Sequence, residues 1–331
     1  MAGEDACRRI NLKTIQTGKW LPYLELGGSV TIWGASFVAT KIALQEASPI
    51  MVVWLRFSLG LGVMGVAMWL RHPLTLPSKT MMPYLALVGF IGITFHQWLQ
   101  STALQTTWAS TSSWIVATAP IFMALLGWVF LRERMDWIAA AGIVLASLGL
   151  ALVVSRGEWA ELFGGRFGGR GDLLMLISAV NWAVFSTISK PGLKRLPPTQ
   201  MMFWVLAWGW VFTSIWLWMQ GGWRPIPSLS TAGWISLLFL GIFCSGVAYL
   251  FWYDGLEAVP VVQVGAFLYF EPLVTLIIAA FLLGESINWA SLLGGMLILG
   301  GVGLVNRALP PEGEGTNFPE QVEKTEIPMR K

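Results

Sequence analysis

Charge is scarce in this sequence, and so are the residues that most enzymes use. Asp, Glu, Lys and Arg make up 12% of the 331 residues, with only two histidines and two cysteines. A soluble chain of this length needs far more charge to cover its surface. Cys7 and Cys244 give no metal spacing and no disulfide framework. The sequence contains no HExxH, no GxSxG and no Walker pattern GxxxxGKS/T, so neither metalloprotease, serine hydrolase nor ATP-driven chemistry is written in it. "GLGVMG" at Gly60–Gly65 formally fits the dinucleotide pattern GxGxxG, but it lies in an apolar run with no strand before it. No cofactor, no metal and no nucleic-acid partner is expected. The first twenty residues are polar and lack the apolar core of a cleavable leader. The residues after Arg307 are rich in Glu, Pro and Lys and read as a disordered tail.

What the chain has instead is apolar length. Hydrophobic residues make up 55% of it, with a mean hydropathy of +0.65. They fall into ten spans, about 22–44, 49–70, 82–103, 108–131, 137–154, 172–190, 200–220, 231–253, 260–283 and 288–306. Each is near the roughly 20 residues that a helix needs to cross a hydrocarbon core. Helices are expected because backbone groups facing lipid must be satisfied within their own segment. With ten spans both tails share one side. That side carries fifteen of the 21 Lys and Arg residues and the other carries five, with Arg56 inside a span. The positive-inside rule therefore puts both tails in the cytoplasm.

The sequence also repeats itself. A shift of 152 residues lays Pro120 on Pro272, Glu133 on Glu285, Trp137 on Trp289, Gly142 on Gly294 and Gly149 on Gly301. A shift of 149 lays Trp33 on Trp182 and Lys41 on Lys190. Five spans per half means that the second half enters the bilayer from the opposite side, so the fold class is all-α, ten transmembrane helices as two inverted five-helix repeats. Inverted repeats are a recurring device of secondary transporters. The expected organisation is a cytoplasmic segment 1–21, a first repeat 22–154, a Gly-rich external linker 155–171, a second repeat 172–306 and a tail 307–331.

"WGASFVATKIAL" followed by "VVWLRFSLG" resembles the opening of EamA-type carriers of the drug/metabolite transporter superfamily. "STALQTTWASTSSWIVATAPIFMALLGWVFLRERMDWIAAAGIVLASLGL" is similar to the end of that module, and "YDGLEAVPVVQVGAFLYFEPLVTLIIAAFLLGESINWASLLGGMLILGGVGL" to its second copy. The resemblance covers about residues 25–306. It implies ten helices in two inverted repeats, cytoplasmic tails, and movement of small metabolites, drugs or amino acids by alternating access. Such carriers abound in bacterial inner membranes, so that location is expected, with eukaryotic membranes as the alternative. The second half departs from the first at Val205, the counterpart of Arg56.

Within that frame Glu271 stands out, an acid at the middle of a 24-residue apolar run. Charging it there costs about 2.5–3.5 kcal/mol on insertion scales, so it is expected to face a wet cavity as a substrate or proton site. Helical spacing puts Gln263, Phe267 and Thr275 on its face. Arg56 either pairs with Glu271, holds a substrate carboxylate or reaches the interface along its stem. His96 is a candidate titrating group or a hydrogen-bonded packing residue. Trp33, Trp182 and Trp204 lie deep enough to wall a pathway, or to pack. Pro120 and Pro272 are expected to kink their spans as gates. Lys41 is expected to snorkel, and Glu133 and Glu285 to cap or tie loops. The expected function is secondary active transport, as an exporter of amino acids or related amphipathic or drug-like compounds, with proton coupling through Glu271. A membrane enzyme and a passive channel are the alternatives. Partners are a small-molecule substrate, the lipid bilayer and protons, with homo-oligomerisation left open.

Overall fold

The computed structural model describes residues 20–71, 76–131, 137–158, 169–193, 195–221, 229–258 and 267–308. Every regular element among them is helical. In chain order α1 is Leu21–Ala43, α2 is Pro49–Arg71 and α3 is Met82–Leu104. Then come α4 (Ala109–Val116), α5 (Ala119–Leu131), α6 (Trp137–Ser155), α7 (Arg170–Leu193) and α8 (Pro198–Met219). A run made of Thr231–Leu238, Phe239–Val247 and Ala248–Ala258 forms α9, followed by α10 (Glu271–Leu283) and α11 (Trp289–Ala308). Six of these are long and apolar enough to cross a hydrocarbon core: α2, α3, α6, α7, α8 and the Thr231–Trp252 part of α9. Leu268–Leu283 and Trp289–Val305 are shorter apolar helices. This is the make-up of an integral membrane protein.

Continuity is where the structure differs from the sequence reading. The segment 108–131 is broken: α4 stops at Val116, Ala117 and Thr118 form a turn, and α5 restarts at Ala119. At the equivalent place a 3-10 turn, Leu268–Phe270, precedes α10, which starts at Glu271. Pro120 and Pro272 are therefore second residues of new helices and not kinks within long ones. Proline lacks an N–H and clashes with the turn before it, but in a first turn neither matters. The third span of each half differs from a plain α-helix as well. Phe90–Phe95 in α3 and Phe239–Val247 in α9 are π-helical. A π turn holds an extra residue, so it rotates the face that follows by about 100°.

Between membrane helices lipid supplies no hydrophobic drive, and close approach of small residues does the packing. Helices α6 and α11 cross antiparallel through glycine. A methyl on Gly142 would lie 2.6 Å from the Gly301 carbonyl, and one on Gly149 would lie 2.5 Å from that of Gly294. The reciprocal approaches, from Gly301 to Gly142 and from Gly294 to Gly149, are equally tight at 2.4 and 2.6 Å. The two pairs exchange under the 152-residue shift. A second contact recurs in both halves, its glycines related by the 152-residue shift and its partners by the 149-residue one: Gly89 of α3 abuts the Val205 carbonyl of α8, and Gly241 of α9 abuts the Arg56 carbonyl of α2.

One end of the bundle is bolted by a polar network. The Glu285 carboxylate, buried after α10, accepts from the backbone N–H groups of Ala109 (2.8 Å) and Ser110 (3.1 Å) and from the Ser110 hydroxyl (2.6 Å). It thus caps α4, satisfying donors that a helix start leaves open, and its charge suits the positive end of the helix dipole. Lys41 lies 4.0 Å from the same carboxylate and donates to the Thr107 carbonyl, while the Thr107 hydroxyl donates to Asp172. Trp108 sits between two cations, with Arg156 at 4.6 Å and Lys41 at 5.6 Å from its ring. Lys41 is thus a member of this network and not a free snorkelling side chain. A separate tie joins Glu46 to the backbone N–H (2.6 Å) and hydroxyl (2.5 Å) of Ser230, and these bonds hold its carboxyl below the usual Glu range. At the opposite end Arg71 donates to both oxygens of Asp254, at 2.5 and 2.8 Å. Glu133, expected to match Glu285, lies outside the described residues, as do the expected linker core, 159–168, and the tail beyond 308. Replacing Glu285 by Ala strands two buried N–H donors and removes the anion facing Lys41. The expected loss is roughly 1–3 kcal/mol, read as a lower Tm of the purified protein in detergent, whereas an unchanged Tm would contradict the capping role.

Candidate functional site

A cavity of about 120 Å³ opens where the broken segments meet α1, α2, α3, α7 and α9. Its walls come from both halves of the chain. Trp33 and Ser36 enter from α1, Arg56 from α2, and His96, Gln97 and Gln100 from α3. Glu271 and Pro272 enter from the start of α10, opposite Ala119 and Pro120 at the start of α5. The two helix restarts thus face one space, and unwound backbone at membrane depth is tolerated where it lines a cavity. Helix α8 contributes nothing to the lining, so Trp204 stands apart from the cavity, 5.3 Å from the Phe203 ring.

Of the residues singled out from sequence, seven line this one space: Glu271, Arg56, His96, Trp33, Trp182, Pro120 and Pro272. Phe267 does not. It packs against Leu26 and stands 6.4 Å from the Tyr23 ring. The cause is the 3-10 turn between Phe267 and Glu271, which spoils the α-helical spacing that would have aligned them. Gln263 lies outside the described residues. Thr275 is buried in the crossing of α1 and α10, donating to the carbonyls of Gly34 (2.8 Å) and Glu271 (3.0 Å), so it serves packing.

The polar groups are held in distinct ways. Arg56 is buried; its Nε donates to Ser245 Oγ at 2.7 Å and its Nη1 to Gln97 Oε1 at 2.9 Å. It does not pair with Glu271, since the ion pairs within 4.0 Å among the described residues are Lys41–Glu285 and Arg71–Asp254. Glu271 makes no side-chain hydrogen bond among the described residues and sits at a helix start, where the dipole favours a negative charge. His96 is buried, with Nδ1 3.1 Å from the Ser178 hydroxyl and its ring 5.1 Å from that of Trp182. Trp33 donates from Nε1 to the Cys244 carbonyl and rests against Tyr249 and Trp252, at 5.4 and 5.1 Å. The wall is thus aromatic, with one guanidinium, one carboxylate and several amide and hydroxyl groups.

The lining residues that sequence reasoning missed include Ser36, Gln97 as a partner of Arg56, Gln100, Ser113, Tyr249 and Tyr269. Gln100 is one helical turn beyond His96, a spacing that could have found it. Ser245 and Tyr249 follow from the π segment of α9, which no spacing rule anticipates. About 120 Å³ is below the roughly 300 Å³ at which drug-sized sites begin. In this conformation the cavity suits a compact solute.

The comparisons with known proteins agree with this architecture. The family model described as the EamA-like transporter family matches residues 22–155 and again residues 169–307, one match per half. The chain belongs to the EamA-like transporter family, and it is a membrane transporter. An archaeal relative, an uncharacterised transporter of Archaeoglobus fulgidus, is 28% identical over 85% of this chain and 95% of its own length. A relative from Streptantibioticus cattleyicolor, named "Probable terminal-alkyne amino-acid exporter", is 29% identical over 84% of this chain and 91% of its own. A solved crystal structure superposes with a TM-score of 0.59 at 20% identity, covering 86% of this chain and 97% of that one, which shows a shared fold.

The carbonyl of Glu271 leaves little room beside α1: a methyl on Gly34 would lie 2.8 Å from it and 2.8 Å from Val274 Cβ. Gly34→Ala is therefore expected to push α10 away, at a cost of roughly 1–3 kcal/mol. Gly27→Ala, where the nearest neighbour is a Phe267 ring atom at 4.0 Å, should leave the Tm unchanged; equal shifts for the two variants would refute the crossing as the constraint.

Proposed function

We propose that this transporter is a secondary carrier that exports compact metabolites, amino acids or related amphipathic compounds, by alternating access about the cavity. The observation that carries this reading is the convergence of Glu271 and Arg56, from opposite halves and unpaired with each other, on one space at two helix restarts. Discontinuous helices meeting at mid-depth are where secondary carriers hold substrates and coupling ions. Charged groups cost several kcal/mol at such depth, so their presence in a cavity points to a ligand or a proton path.

Ten helices in two inverted repeats supply the movement in this proposal. The support is the antiparallel crossing of α6 and α11 through exchangeable glycine pairs and the two family matches in tandem. With the tails in the cytoplasm, as the Lys and Arg bias favours, the Lys41–Glu285 network closes the outer end and Arg71–Asp254 braces the inner one. Each alternation breaks one set while the other holds. The amino-acid reading draws support from the name of the Streptantibioticus relative, and a bacterial inner membrane is the proposed location. Proton exchange through Glu271 is the proposed driving step, because this acid lines the cavity and its side chain makes no hydrogen bond among the described residues. The enzyme alternative loses ground to the relatives, which are named as transporters.

The test is counterflow in proteoliposomes, screened over radiolabelled amino acids with and without an imposed pH gradient. Wild type should accumulate a substrate against its gradient when the pH gradient is present. Glu271→Gln should insert normally and lose that accumulation. A variant that accumulates substrate like wild type would remove Glu271 from the mechanism.

A further inference from the structure

The Arg56 guanidinium has the surroundings of a ligand-binding cation and not of a structural ion pair. A buried arginine normally meets an acid, since an uncompensated charge in a low-dielectric site is costly. Here both acceptors are neutral, the Ser245 hydroxyl and the Gln97 side-chain oxygen. Ser245 is fully buried where α2 packs closely on α9: an added methyl on Gly60 would lie 2.5 Å from Ser245 Cβ. Gln97 is buried as well and lines the cavity itself. Of the five N–H bonds in a guanidinium fork, these two acceptors engage two. The other three meet no acceptor among the described residues. The site has no counterpart in the second half, where Val205 occupies the place of Arg56 and packs in the core.

We propose that Arg56 is the carboxylate-binding group of the cavity and that Gln97 determines this preference. Gln97 is the same size as glutamate and takes the same hydrogen bond, but it leaves the positive charge available to a ligand. The proposal deepens the carrier reading and rests on it by naming the part of the substrate that the cavity recognises. A planar fork matches carboxylate and phosphate alike. Glu271 in the same small cavity disfavours a doubly charged phosphate, so the ligand anion is a carboxylate. An ammonium on the same molecule would suit Glu271.

Gln97→Glu tests this, because it places an acid against Arg56 with little change in shape and cancels the charge in place. Purified full-length wild type and variant are titrated with three matched sets: L-amino acids, the amines left by removing their carboxylates, and the carboxylic acids left by removing their amino groups. Binding is read as the ligand-induced rise in Tm. Wild type should respond to the carboxylate-bearing sets. Gln97→Glu should keep or raise the ligand-free Tm and bind those sets at least about tenfold more weakly, the loss of a charge-assisted bond. Gln97→Met removes the acceptor and leaves the charge, so it should weaken binding less and keep the preference for carboxylates. A wild type that responds to amines as well as to carboxylates, or to no carboxylate at all, would overturn the proposal, and so would Gln97→Glu binding carboxylates like wild type. A wild type that exchanges only substrates without a carboxylate in proteoliposomes sinks this inference and leaves the carrier standing. Carboxylate binding with no exchange of any solute does the reverse.

Discussion

A charged group within a membrane-spanning chain is costly unless it is paired or hydrated, and the main features of this structure follow from how each one is accommodated. Where a partner is at hand, the group becomes structure. Glu285 finds the open N–H groups at the start of α4, Lys41 finds a carbonyl and an acid, and Thr275 finds two carbonyls in a helix crossing. Two charged groups that lack a full set of partners among the described residues line the cavity instead. Glu271 and the far side of Arg56 belong to that second class.

The two halves share a plan and differ in chemistry. Their equivalent helices restart at equivalent prolines, their third spans both carry π segments, and their last helices cross through exchangeable glycines. The charged groups are not exchanged. Arg56 is answered by Val205, and at the place of Glu271 the first half has Ala119. In the carrier reading proposed above, the shared plan supplies the movement and the unequal lining sets the orientation of the substrate. Glycine at the crossings keeps backbone in contact with backbone.

Much of this was legible from the residues because the signals were local or periodic. Apolar length marked the helices, the repeat shift marked the halves, and the isolation of Glu271, Arg56 and His96 in apolar runs singled out residues that meet at one cavity. What escaped had no local signature. An unbroken apolar run from Trp108 to Leu131 gave no sign that α4 would stop before Pro120, because hydropathy does not register a lost backbone bond. The π segments were invisible for the same reason, and they decide that Ser245, rather than a neighbour, reaches Arg56. Phe267 was placed on the face of Glu271 by α-helical spacing, and one 3-10 turn was enough to remove it. Gln97 was visible beside His96, but only the tertiary structure brings it to a guanidinium 41 residues away.

The central claim is that the space between the helix restarts is a wet, ligand-accessible chamber and not a packing defect. It is tested most directly by a single cysteine at Ser36, which lines that space, in a chain whose Cys7 and Cys244 have been replaced. The account predicts that a membrane-impermeant thiol reagent modifies this cysteine in intact membranes and that transported solute slows the modification. A cysteine there that reacts only with lipid-soluble reagents, or at a rate that no solute alters, would contradict it.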